Sequence, residues 1–115
     1  MARTAIDAQE VVATGLEAIY EAANAEGNMF DNDGDRILHV KNGSAGSVDV
    51  TIQSAAEVDG LAVSDQVVSI PAGEDRFIGR FKPSTYNRPS GAADAGKVYV
   101  DYSASDSVTV VLLKV

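Results

Sequence analysis

The sequence predicts an all-β fold: a single antiparallel β-sandwich, jelly-roll-like, with room for one short helix near the N-terminus. Three observations carry this. From Asp35 onward, β-rich runs recur at short intervals, separated by Gly, Pro, Asn and Ser. No amphipathic helical stretch lies between those runs, which argues for strands packed on strands. The chain has 115 residues, 45% of them hydrophobic, which suits one domain with one core. Residues 1–8 read as a flexible arm and residues 9–115 as the sandwich domain.

The elements follow in order. Arg36-Ile37-Leu38-His39-Val40-Lys41 ends at Asn42-Gly43-Ser44-Ala45-Gly46, and Val48-Asp49-Val50-Thr51-Ile52 resumes with strict alternation. Asn-Gly between two β-rich runs is a hairpin signal, here with a loop longer than two residues. Val48, Val50 and Ile52 are expected to face the core, with Asp49, Thr51 and Gln53 facing water. Val67-Val68-Ser69-Ile70 stops at Pro71-Ala72-Gly73, and Arg76-Phe77-Ile78-Gly79-Arg80-Phe81 stops at Lys82-Pro83. Val98-Tyr99-Val100-Asp101-Tyr102 is broken by a serine-rich turn, and the run from Val108 to Val115 closes the chain. That last run is apolar on both faces, as a doubly covered strand is.

The N-terminal third supports two readings. Thr14-Gly15-Leu16-Glu17 fits a capping box, and Leu16, Ile19, Tyr20 and Ala23 recur at helical spacing, so residues 16–26 can be helical. Glu10-Val11-Val12-Ala13-Thr14 and Ala18-Ile19-Tyr20 read equally well as extended chain.

Composition removes several kinds of chemistry. The chain has no cysteine, so disulfides, thiol nucleophiles and thiolate metal sites are excluded. Its formal charge is −8, unevenly spread. Residues 1–35 hold eight acidic residues against Arg3 alone, leaving −7, while the remaining residues nearly balance. No basic stripe with interleaved aromatics is present, so nucleic acid is not an expected partner. No apolar run has the length of a membrane span or a signal peptide, so no membrane partner and no cleavable leader are expected. No Gly-x-Ser-x-Gly elbow accompanies His39, the single histidine, and no glycine-rich phosphate cradle precedes a helix. The expected protein is not an enzyme and holds no cofactor.

Two stretches could carry binding. Asp31, Asp33 and Asp35, alternating in Asp31-Asn32-Asp33-Gly34-Asp35, are weak candidates for hard oxygen ligands to Ca²⁺. The EF-hand spacing fails there, and the competing reading is a tight turn in which Asx side chains bond their own backbone. Arg76, Arg80, Lys82 and Arg88 fall within thirteen residues, beside Phe77, Phe81 and Tyr86. They read either as a solvated face or as half of a charge-complementary interface. In the second reading Arg76, Arg80, Lys82, Tyr86 and Arg88 meet the acidic N-terminal third of a neighbouring copy, or another acidic partner.

Ala25-Glu26-Gly27-Asn28-Met29-Phe30-Asp31-Asn32-Asp33-Gly34, Leu38-His39-Val40-Lys41-Asn42-Gly43, Ser69-Ile70-Pro71-Ala72-Gly73-Glu74 and Lys97-Val98-Tyr99-Val100-Asp101-Tyr102-Ser103 form a set of turn-and-strand phrases. With the valine-rich C-terminal run, they resemble the small β-sandwich head decoration, or cement, proteins of tailed bacteriophages. The resemblance runs from about residue 10 to the end of the chain and involves no catalytic signature. It implies a structural protein, made in the host cytoplasm and placed on the capsid exterior. Its implied partner is the major capsid protein, bound as a homo-oligomer for which a trimer is the expected size. A tail or neck component, or a small ligand- or calcium-binding sandwich, is the alternative.

Overall fold

The structure, a computed structural model, describes residues 3–89, 91 and 94–115. Its strands are β1 (Thr4–Ala5), β2 (Ala8–Glu10), β3 (Glu21–Ala22), β4 (Asn28–Asp31), β5 (Arg36–Asn42), β6 (Val48–Ile52), β7 (Glu57–Val58), β8 (Leu61–Ala62), β9 (Gln66–Ile70) and β10 (Asp75–Gly79). A one-turn helix α1 (Pro83–Tyr86) precedes β11 (Lys97–Tyr102) and β12 (Val108–Lys114). The first sheet runs β1-β4-β11-β6-β9 and the second β10-β5-β12-β2, with β3 also on the β12 edge; β7 and β8 form a separate hairpin. Without β1, β2 and that hairpin, eight strands remain. In chain order they fall as 2-7-4-5 in one sheet and 1-8-3-6 in the other, which is the jelly-roll arrangement.

Alternation explains the core. Val48, Val50 and Ile52 point inward from β6 while Asp49 is exposed, as the sequence predicts. They meet Leu38 and Val40 of β5, Val108, Val110 and Leu112 of β12, and Phe30, Val98 and Val100 of the first sheet, in one buried cluster. Val111 is buried on the other face of β12, consistent with a strand apolar on both sides.

Three expectations need correction. The Asn42-Gly46 stretch is no hairpin, because β5 and β6 lie in different sheets and the turn arches between them. Asn42 holds that arch open: its buried amide donates to Gly46 O (2.8 Å) and Ile70 O (3.0 Å), and its Oδ1 accepts from Ser44 N (3.0 Å). The optional N-terminal helix is not formed. Residues 16–26 contain a turn and the short strand β3, whose backbone satisfies β12 at Thr109 and Val110. Backbone groups on that edge need partners, and this outweighs the modest helix propensity of Glu17, Glu21 and Ala22. The sandwich is also not wholly antiparallel: β1 joins β4, and β2 joins β12, in parallel.

Those two parallel strands involve the segment read as a flexible arm. From Arg3 onward it is tied in; Met1 and Ala2 lie outside the described residues. β1 sits on the first sheet and β2 on the second, so the chain crosses the gap between them and drops Ile6, 4% exposed, into it. Arg3 clasps this strap, with Nη1 2.6 Å from Asp101 Oδ1 and 3.1 Å from Val100 O. Gly27 makes the clasp possible. Its φ is +97°, and a Cβ there would sit 2.8 Å from Val100 O and 2.2 Å from the Arg3 guanidinium.

Burial pushes the Asp101 carboxyl up, but hydrogen bonds from Arg3 and Gln53 outweigh this and hold it below its ordinary value of 3.8. A carboxyl lowered in the folded state contributes stability that is complete above 3.8 and is lost as pH falls through the folded value. Thermal melts of wild type and Asp101→Asn should therefore differ at neutral pH, and the difference should vanish as pH falls through the lowered folded-state value.

Candidate functional site

A β-sandwich has two open sides where its sheets splay apart. Ile6 plugs the one at β1 and β2. The other, between β9 and β10, is open: a groove of about 310 Å³ is lined by Gln66, Val68, Arg76, Ile78, Arg80, Phe81 and Tyr86. Register explains why the core stops there. Arg76 pairs with Val40 and Gln66 with Ile52, so both occupy core-facing positions of their strands, where polar ends must reach water. Phe81 is buried, in a tilted contact with Phe30 (centroids 5.3 Å apart) and an edge contact with Tyr86 (5.9 Å).

On the outer face of β10, Phe77 is 65% exposed and stacks flat on His39, with ring centroids 3.9 Å apart. β9 and β10 are the last strands of their sheets, so among the described residues each has an outer edge with no strand beside it. Arg76 is held by Glu74 at 3.1 Å and donates to Asp75 O. Among the described residues, Arg80 and Lys82 are exposed and make no ion pair.

The structure divides the basic cluster that the sequence singled out. Arg76, Arg80 and Tyr86 line the groove, and Lys82 flanks it as the residue before α1. Arg88 is elsewhere: its guanidinium lies 4.6 Å from the Tyr99 ring centroid and donates to Gln53 O (3.3 Å), which ties the α1–β11 connection to the first sheet. Sequence reasoning missed Gln66 and Val68. Only the strand order, which makes β9 an edge beside β10, brings them to the groove.

The acidic stretch is a turn. Asn32 Oδ1 accepts from Gly34 N (2.9 Å), and Gly34 takes a φ of +93°. Asp31 pairs with Lys97 at 2.8 Å, while Asp33 and Asp35 both reach Arg36. Each carboxylate is thus spent on a cation, and no group of three or more His, Asp or Glu gathers around a metal-sized space among the described residues. Buried Asn32 also donates to Phe81 O (2.9 Å) and Asn87 Oδ1 (2.7 Å), which fixes the turn against the groove floor.

His39 is 4% exposed and bonded at both nitrogens, Nδ1 to the Tyr20 hydroxyl (2.7 Å) and Nε2 to Asp75 Oδ2 (2.5 Å). The hydrogen bond from His39 holds the Asp75 carboxyl below its ordinary value. With Lys41 Nζ 4.1 Å from the Tyr20 ring centroid, these contacts pin Tyr20 to the outer face of the second sheet. The connectivity is that of a relay, but the imidazole is stacked beneath Phe77 and serves as an anchor.

Among the described residues, no helix is long and apolar enough to cross a membrane. Compared with family models, curated proteins and solved structures, the chain matches none of them.

Proposed function

We propose that the protein is a non-enzymatic structural protein of a tailed-phage virion, placed on the capsid exterior, where it binds and stabilises the shell built by the major capsid protein. One observation supports this most: the open β9–β10 side, which combines an unpaired strand edge, an exposed aromatic ring and free cations. Backbone donors and acceptors on a strand edge, next to apolar surface, are best satisfied by another polypeptide. A small-molecule site would instead be a concave, mostly apolar pocket that encloses most of its ligand, with a few convergent polar groups.

The role fits the rest of the molecule. Shallow contacts repeated over a lattice give avidity even when each is weak. A net charge of −8 keeps the free protein soluble before it docks. The turn-and-strand phrases that resemble head decoration proteins support the same reading.

Sedimentation with preformed shells lacking the protein tests it. Saturable recovery of the protein in the shell pellet is expected, together with shells that resist heating better than bare ones. Protein that stays in the supernatant while the shells pellet intact would overturn the reading.

A further inference from the structure

We infer that the open β9–β10 side receives the acidic N-terminal edge of a second copy of this chain, so that copies associate head to tail. The inference deepens the shell-binding reading by naming the contact between neighbouring copies.

The strand orders supply the geometry. β9 and β10 end the two sheets on one side, and β1, β2 and β3 end them on the opposite side. Each copy therefore presents two different edges facing in opposite directions. The N-terminal edge is acidic: Asp7, Glu10 and Glu21 are exposed and make no ion pair among the described residues. It is also low in relief, because the exposed residues on these three strands include Ala5, Ala8 and Ala22. The opposite edge carries Arg80 and Lys82, which make no ion pair among the described residues; its Glu74 and Asp75 are taken up by Arg76 and His39, exposed Asp65 makes no ion pair there, and Phe77, 65% exposed, adds apolar surface.

Charge decides between the possible pairings. A two-fold contact would place carboxylates against carboxylates or cations against cations, and close like charges repel. Charges on an edge strand ordinarily keep copies apart. Here the charges left over on the far edge, Arg80 and Lys82 against Asp65, are net positive, so the same charges select one orientation. Joining unlike edges is a heterologous contact, which closes into a ring when the rotation per copy permits and extends as a row otherwise.

Sedimentation velocity on the purified protein, without shells, tests this in three samples: wild type, Arg80→Glu/Lys82→Glu, and Glu10→Lys/Glu21→Lys, each checked for β-sheet circular dichroism. Wild type should associate with rising concentration at about 20 mM salt and dissociate at about 500 mM, where screening is nearly complete. Each variant alone has two edges of like sign and should associate at least roughly tenfold more weakly than wild type. An equimolar mixture restores opposite signs at both contacts and should recover association. If a reversed variant does not fold, the glutamine versions of the same pairs should still weaken association. A wild type that stays monomeric at low salt, or a mixture no better than its components, would overturn head-to-tail pairing. A monomer that still pellets with shells would leave the shell-binding reading standing.

Discussion

Phe30→Ala should lower the free energy of unfolding by about 4 kcal/mol, the scale of a large aromatic truncation in a core that cannot collapse around the gap. Phe30 is 1% exposed, pairs with Val98 across β4 and β11, and packs its ring on Phe81 beneath the open groove. Domains of this size have total stabilities of about 5–15 kcal/mol, so the variant should be poised near unfolding at room temperature. Urea titration should show a much lower midpoint with an unchanged slope, because the surface exposed on unfolding is nearly the same. A change below about 1 kcal/mol would mean that Phe30 is not a central packing element.

The second large effect belongs to a polar residue. Asn42→Ala should cost about 3 kcal/mol, because it leaves several groups unsatisfied at once. Asn42 is 2% exposed, and its amide donates to Gly46 O, Ile70 O and Pro71 O while accepting from the Ser44 backbone and hydroxyl. It thereby fastens the β5–β6 arch to the β9–β10 turn, two of the four places where the chain changes sheet at that end of the sandwich. Asn42→Asp should be nearly as harmful, since a carboxylate cannot donate to those carbonyls. Ser44→Ala, which removes only the hydroxyl's bonding to Asn42 Oδ1 and Gly46 O, should cost about 1 kcal/mol by the same denaturant titration.

Asn42 also shows where sequence reading succeeds and where it stops. The strands from Asp35 onward are legible because alternation such as Val48-Asp49-Val50-Thr51-Ile52 is a local property, and burial follows it residue by residue. Which sheet each strand joins is not local. Asn42-Gly43 looks like a hairpin turn, and only the side chain's reach to Ile70 O shows that it is an arch. The N-terminal third is ambiguous for a related reason. Leu16, Ile19 and Tyr20 have helical spacing, but β12, paired with β5 on one edge, has its other edge open along Thr109 and Val110, and residues 21–22 fill it.

The candidate site was legible in part. Arg76, Arg80 and Tyr86 are close in sequence and meet at the groove, whereas Arg88, equally close in sequence, turns away to stack on Tyr99. The acidity of the first 35 residues is visible in the composition. Its position opposite the basic edge depends on strands β1 to β3 reaching the far side of both sheets, which no spacing encodes.

The central claim is that the β9–β10 side is covered when the protein performs its role. Hydrogen–deuterium exchange measured on dilute free protein and on protein bound to shells addresses it directly. Backbone amides of residues 75–80, and of residues 4–10 and 21–22 on the opposite edge, should exchange more slowly in the bound state. Exchange at both edges that is unchanged on binding, with protection confined to other surfaces, would contradict it.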